Sequence, residues 1–137
     1  MALSDPLPDA VISDPGNAEL RVAVQTGGIS FLADEPVAVG GLDSGPNPYD
    51  LLCSALGACT AMTLKLYARL KSIPLEQVHV EVSHGREGQA DLFTRVIRLE
   101  GPLDEAMSAR LFDIAERCPV HRTLNTGSRI TTTLALA

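Results

Sequence analysis

The stretch DLLCSALGACTAMTL, residues 50–64, decides how this chain folds. After its first aspartate it carries no charge, yet it holds two of the chain's three cysteines, Cys53 and Cys59. Asn47 suits a helix N-cap, and Pro48 suits the first helical position. The stretch therefore predicts an apolar central helix, and its two thiols require a chemical explanation.

The predicted helix ends at about Lys71, and its two faces differ in side-chain size. A glycine inside a helix costs about 1 kcal/mol relative to alanine, so Gly57 indicates a close backbone approach. We expect a second copy of the helix there, and hence a homodimer; packing on the chain's own second helix is the alternative. The bulky stripe around Cys59 comprises Leu52, Ala55, Leu56, Met62, Thr63, Leu66 and Leu70, and the small face comprises Asp50, Ser54, Gly57, Ala61 and Ala68.

Length and composition predict one globular domain. The chain has 137 residues, of which 45% are hydrophobic, and its net charge of −6 argues against nucleic acid or an anionic membrane as partner. Residues 1–16 are expected to form an N-terminal arm and residues 17–137 a single domain. The N-terminus lacks the features of a signal peptide, and the uncharged run is shorter than the roughly 18 residues of a membrane span. Three cysteines suit a reducing cytoplasm, so we expect a cytoplasmic protein.

Alternating and helical patterns predict the remaining elements. Two strands joined at Gly27 and Gly28 form a hairpin, and a further pair of strands follows the central helix. A second helix begins near Asp104 and ends before Pro119. The order ββ(β)αββαβ predicts an α+β fold with an antiparallel-rich sheet. The expected strands are AELRVAVQ at 18–25, ISFLA at 29–33, VHVEVSH at 78–84, LFTRVIRLEG at 92–101 and SRITTTLALA at 128–137, with a short extended piece at 37–39.

The spacing of the cysteines limits how they can pair. Cys53 and Cys59 lie about 10 Å apart along a helix, beyond the roughly 7 Å that a disulfide spans between Cα atoms. A disulfide would therefore need Cys118, which ends the apolar stripe of the second helix. Spacing alone leaves three hypotheses open: buried thiols that only pack, a redox pair, or a zinc site in which His121 joins Cys118 and Cys59.

Two motifs resemble the OsmC/organic hydroperoxide resistance family, over roughly residues 17–137. They are GPNPYDLLCSALGACTAMTL at 45–64 and CPVHRTL at 118–124. The resemblance implies an intertwined α+β homodimer with antiparallel-rich sheets around central helices and with both active sites at the interface. It also implies that Cys59 is the peroxidatic thiol and that Cys118 resolves it.

The implied activity is thiol-dependent reduction of organic hydroperoxides, with hydrogen peroxide as a further substrate, in oxidative stress defence. A thiolate attacks the peroxide, a sulfenic acid forms, the second thiol condenses with it, and an external dithiol restores both thiols. No metal or organic cofactor is expected, and Leu52, Leu56, Met62 and Tyr49 are expected to contact the substrate. The alternatives are a redox-silent dimer that binds an apolar ligand and an accessory domain of a larger enzyme.

A mid-helix thiol in apolar surroundings needs a nearby cation, because burial raises the pKa of a thiol. In the family an arginine serves, held by a carboxylate just after the Asn-Pro pair; this chain has Tyr49 there, followed by Asp50, and no arginine in the loop before Gly45. Arg95 is the first candidate, because it shares strand parity with apolar neighbours. Arg21 comes second, and the pair His121 and Arg122 comes third. The apolar neighbours of Arg95 are Phe93, Ile97 and Leu99.

Overall fold

The computed structural model describes residues 7–136, which form two compact units that divide between Leu51 and Leu52. The chain has the predicted α+β class with antiparallel sheets. Residues 1–6 of the expected arm, and the last residue, lie outside the described part; the single-domain boundary at residue 17 stays a prediction. The elements are β1 (Ala10–Ser13), β2 (Val22–Thr26), β3 (Ile29–Ala33), α1 (Pro48–Leu70), β4 (Gln77–Glu87), β5 (Ala90–Glu100), α2 (Glu105–Ala115) and α3 (Pro119–Thr126).

The first unit contains an antiparallel sheet of β1, β2 and β3. Gly27 and Gly28, with φ of 56° and 79°, form the two-residue turn between β2 and β3, which confirms the predicted hairpin. Strand β1 lies within the stretch that we interpreted as an arm, and Ile12 pairs with Val24 in the ladder. The expected extended piece at Val37–Val39 is instead one turn of 3₁₀ helix.

A buried carboxylate organises the loop that leads from β3 to α1. Asp34 accepts hydrogen bonds from the Ser44 hydroxyl at 2.6 Å and from the N–H groups of Ser44, Leu42 and Glu35. The Ser44 hydroxyl and these N–H groups outweigh desolvation and lower the pKa of Asp34 to about 2. At the start of α1, Asn47 and Asp50 cap each other's backbone N–H groups, as in a capping box.

The sheet of the second unit is a two-stranded hairpin of β4 and β5. The strands run further than predicted, because Glu87 already pairs with Ala90 and only two residues form the turn. Intermediate and exposed residues alternate along both strands, and Val82 pairs with Arg95 on the less exposed face. The predicted strand parity of Arg95 is confirmed.

Helix α1 packs with one stripe of its surface against the second unit's core. The buried stripe repeats every fourth residue, whereas most of the bulky stripe around Cys59 is exposed. A Cβ atom on Gly57 would lie 3.4 Å from Val82 and 3.9 Å from Val80, so the close approach there is to the chain's own β4. Our assignment of Gly57 to a second copy of the helix was therefore wrong. The buried stripe consists of Leu56, Thr60, Leu64 and Ala68.

Helix α2 completes this core and leads to two features that differ from prediction. Pro119 does not merely end the second helix; it is the first residue of a further helix, α3. Residues 127–136 form neither helix nor strand, so the predicted final strand is wrong for a single chain. A strand needs a partner for its backbone hydrogen bonds, and the described residues of one chain provide none for this segment. The core cluster consists of Leu64, Ala68, Leu111, Ile114 and Ala115.

By length and composition α1 resembles a membrane span. It has 23 residues, with a mean hydropathy of 1.4 over its most apolar 18-residue window. Our sequence argument counted only the uncharged run, whereas the helix continues through Lys65 and Arg69. The central helix of a soluble protein meets the same criteria, so this property does not decide where the protein resides.

Candidate active site

The site is built around the sulfur of Cys118, in the short connection between α2 and α3. Cys118 is the N-cap of α3, and its sulfur accepts a hydrogen bond from the His121 N–H at 3.3 Å. Its side chain is fully buried, with 0% exposure. The residue that ends the apolar stripe of α2 is thus held, as predicted, against the core.

Helix α1 brings two side chains to this sulfur. Cys59 lowers the pKa of Cys118, and the hydroxyl of the adjacent Thr60 lies 3.8 Å from the Cys118 sulfur. Cys59 itself is half-buried, and its sulfur lies 4.0 Å from the Thr63 hydroxyl. The structure therefore brings together the two thiols that sequence analysis paired, while Cys53 lies six residues earlier on the helix.

The hydrogen bonds around Cys118 favour its thiolate. Desolvation by burial raises the pKa of Cys118, but four donors together lower it below the usual value for a thiol. The donors are the His121 N–H, the Cys59 thiol, the Thr60 hydroxyl and the Val120 N–H, in order of decreasing effect. The N-terminal position on α3 acts in the same direction, because backbone N–H groups point at the sulfur.

Arg95 reaches the site from β5. Its side chain is 8% exposed and donates from Nη1 to the Thr60 hydroxyl at 2.9 Å. Its Nη2 lies 3.1 Å from Nδ1 of His121 and 3.6 Å from a carboxylate oxygen of Glu116. The first candidate cation is therefore linked to the Cys118 sulfur through one intervening side chain, Thr60.

The same contacts define the tautomer of His121. A guanidinium has only donors, so Nδ1 must accept from Arg95 and the ring proton must sit on Nε2. That nitrogen lies 3.6 Å from Glu116, which is therefore near both Arg95 and His121. Sequence analysis did not identify Thr60 or Glu116 as site residues. A threonine in an apolar helix is usually a packing residue, and no sequence motif links Glu116 to Arg95.

The other residues singled out from the sequence lie in varied settings. Leu52 and Met62 are exposed on α1, whereas Leu56 is buried one turn before Thr60. Tyr49 lies in the first turn of α1 and is partly exposed. Arg21, the second candidate cation, forms an ion pair with Glu19 in the first unit, and Arg122 is exposed. In residues 7–136 no cluster of three or more histidine, cysteine, aspartate or glutamate side chains is arranged to hold a metal ion.

Solved structures of other proteins share the α+β fold of this chain. An OsmC-like protein from Mycoplasma pneumoniae superposes with a TM-score of 0.71 at 22% identity, over 88% of this chain and 89% of that one. An organic hydroperoxide resistance protein from Legionella pneumophila gives 0.63 at 22% identity, over 90% and 91%. The organic hydroperoxide resistance protein OhrB of Bacillus subtilis gives 0.60 at 22% identity, over 83% and 88%. At these identities the likeness establishes the fold.

Comparison of the sequence itself gives the family. No curated protein sequence matches the chain. The family model described as OsmC-like protein matches residues 41–133, which include α1 with Cys59 and the Cys118 motif. This match spans more than half of the chain, and the solved structures share its fold. The chain belongs to the OsmC-like protein family.

Proposed function

We propose that this protein is a thiol-dependent peroxidase that reduces organic hydroperoxides through Cys59 and Cys118. One observation carries the proposal: the half-buried Cys59 adjoins Thr60, whose hydroxyl contacts both the buried sulfur of a second cysteine on a different element and the guanidinium of Arg95. Organic hydroperoxide resistance proteins of Legionella pneumophila and Bacillus subtilis share the fold, which is consistent with this chemistry. The proposed role is defence against oxidative stress.

The proposed reaction begins with one negative charge shared by the two thiols. Cys59 passes its proton to the Cys118 thiolate, and the resulting Cys59 thiolate attacks the terminal peroxide oxygen. The O–O bond breaks, the alkoxide leaves as an alcohol with the proton from Cys118, and Cys59 becomes a sulfenic acid. The Cys118 thiolate then attacks the Cys59 sulfur and expels hydroxide, which takes a proton from solvent to give water. An external dithiol reduces the resulting disulfide by exchange and returns both thiols.

Accessibility assigns the two thiols their order of action. Cys59 is half-buried, whereas Cys118 has no exposed surface, so a peroxide reaches the Cys59 sulfur first. Cys118 is better suited to act from within the protein as proton acceptor and then as resolving thiol. Arg95 supports both steps, because a positive charge near the pair favours its ionised state.

The exposed stripe of α1 favours a substrate with an apolar group. Leu52 and Met62 flank Cys59 along this stripe and carry no polar group, while Leu56 packs beneath on the buried side. We propose that these side chains bind the organic part of a hydroperoxide, and that Tyr49, in the first turn of the helix, contributes a further contact. Such a surface distinguishes only weakly between apolar groups of different size, as apolar pockets generally do.

The same stripe supports the proposed homodimer. Met62 is 68% exposed and Leu66 is 54% exposed, and adjoining apolar side chains of this size are usually covered by a partner. Residues 127–136, rich in β-branched side chains, would find a strand partner in a second copy. We further propose a cytoplasmic location, a small-molecule dithiol or dithiol protein as reductant, and neither nucleic acid nor a membrane as partner.

Mass spectrometry after one equivalent of cumene hydroperoxide tests the function. We expect the intact chain to lose two hydrogens and peptide mapping to find a disulfide between Cys59 and Cys118. The Cys118→Ser variant should consume about one peroxide to form a sulfenic acid at Cys59, and a second equivalent should then convert it to sulfinic acid. A wild-type protein in which all thiols survive this treatment would refute the peroxidase and support the alternative, a dimer that binds an apolar ligand without redox chemistry.

A further inference from the structure

The hydroxyl of Thr60 faces more hydrogen-bond acceptors than it can serve. It lies 2.7 Å from the Leu56 carbonyl oxygen and 3.8 Å from the Cys118 sulfur, and both contacts require it to donate. A hydroxyl has a single proton, so it can donate to only one of them at a time. One of its two lone pairs accepts a hydrogen bond from Arg95, which donates to the same oxygen at 2.9 Å.

We infer that Thr60 is a positioning residue which couples Arg95 to Cys118 by turning its one proton between the Leu56 carbonyl and the Cys118 sulfur. While Cys118 is a neutral thiol or part of a disulfide, the nearby carbonyl is the better acceptor. When Cys118 is a thiolate, the charged sulfur is the stronger acceptor and draws the proton. Rotation about the C–O bond suffices, so no heavy atom has to move.

Burial makes this coupling effective. Thr60 and Cys118 both have 0% exposure, and Arg95 has 8%, so water does not replace a missing hydrogen bond between them. A donor that itself accepts from a guanidinium is polarised by it and donates more strongly. The charge of Arg95 thereby acts on Cys118 through the Thr60 oxygen without direct contact between guanidinium and sulfur. This inference rests on the proposed thiol chemistry but concerns the ionisation of Cys118, which is measurable without any peroxide.

The charged and titratable groups around Cys118 define the background for such a measurement. Cys59 faces it from α1, Arg95 from β5 and His121 from α3, and Glu116 lies beside Arg95 and His121. Replacing Cys53 and Cys59 by alanine leaves Cys118 as the only thiol in the chain. Thiolate absorbance in the ultraviolet then reports the pKa of Cys118 alone.

In this single-thiol protein we expect Thr60→Val, which keeps the shape and deletes the hydroxyl, to raise the pKa of Cys118 by about one pH unit. Thr60→Ser, which keeps the hydroxyl, should retain the original titration. Thr60→Ala deletes the same hydroxyl with less bulk and serves if the valine variant does not fold. A titration that stays unchanged in a folded valine or alanine variant overturns the inference.

A double-mutant cycle with Arg95→Met separates a relay from action through space. If Arg95 acts through Thr60, the two substitutions together should raise the pKa of Cys118 by little more than Thr60→Val does alone. Shifts that add in full would mean that Arg95 reaches Cys118 by another route, and they would overturn the relay. Because both readouts are titrations, they stay informative even if the protein proves to have no peroxidase activity.

Discussion

The two sides of helix α1 place different demands on the same apolar sequence. On the covered side, Thr60 and Leu64 have no exposed surface, and Thr60 hydrogen-bonds Arg95. On the open side, Met62 and Leu66 lie mostly exposed. Cys59 lies on the border between the two sides and is half-buried, and it lowers the pKa of Cys118. On the proposed mechanism, the covered side sets the ionisation of the thiols, and the open side contacts the substrate and the second copy of the chain.

The largest effect on peroxide consumption is expected from replacing Cys59, which lies between the covered and the open side of α1. Cys59→Ser should reduce the consumption of cumene hydroperoxide by at least about a thousandfold, because the proposed nucleophile is lost. Cys53→Ser, six residues earlier on the same helix, is the matched control and should stay within about twofold of the wild type. Peroxide consumption followed with a dithiol reductant measures both. A comparable loss of peroxide consumption in the two variants would contradict the assignment of Cys59 as the nucleophile.

A smaller effect is expected on the covered side when the cation is removed. Arg95→Met keeps much of the bulk, deletes the charge, and should slow disulfide formation about ten- to a hundredfold at neutral pH, since a hydrogen bond to a charged group is worth about 1.5 to 3 kcal/mol. Arg95→Lys retains the charge without the forked geometry, and its rate of disulfide formation should lie between those of the wild type and Arg95→Met. Stopped-flow kinetics over a pH series gives the rates. An unchanged rate profile in Arg95→Met would exclude this arginine as the activating cation.

Gly57 tests the packing of the covered side. Gly57→Leu should insert a side chain against Val80 and Val82 and destabilise the fold by about 1–3 kcal/mol. Gly57→Ala is the matched control: its Cβ fits at 3.4 Å from Val82, and alanine favours the helix. Thermal unfolding compares the two with the wild type. A leucine variant as stable as the alanine variant would show that β4 does not approach α1 this closely.

The open side is tested by a change that should leave folding nearly intact. Met62→Glu adds a charge to the exposed stripe, so it should weaken the proposed dimer by about tenfold or more, because a buried unpaired charge is costly. Met62→Leu keeps the apolar surface and should associate like the wild type. Sedimentation at micromolar concentration measures both. A wild-type protein that sediments as a stable monomer would contradict the dimer.

Local patterns predicted much of this molecule. The alternation and the two glycines at 27–28 define the first hairpin, and Asn47 with Pro48 marks the start of α1. Strand parity predicted that Arg95 points to the less exposed face, and its side chain is 8% exposed. Helical periodicity placed Cys118 toward the core. These features depend on neighbours close in sequence, which is why sequence patterns reveal them.

What the sequence did not reveal depends on contacts between distant segments. A helix that is apolar on both sides does not say which side packs on its own sheet, so the small face containing Gly57 was assigned to a partner. Pro119 signals the end of one helix as well as the start of another. Thr60 and Glu116 belong to the site because both contact Arg95, which lies on β5. Spacing within a single helix or strand does not predict contacts between different elements.

The most direct test of the central claim is to trap the sulfenic acid and find which sulfur carries it. With Cys53 replaced by alanine throughout, Cys118→Ser and Cys59→Ser proteins are treated with one equivalent of cumene hydroperoxide and a 1,3-dione that reacts with sulfenic acids. We predict labelling of Cys59 in Cys118→Ser, slowed by the loss of the proton acceptor Cys118, and no labelling of Cys118 in Cys59→Ser. Equal or faster labelling of Cys118, with Cys59 unmodified, would contradict the account.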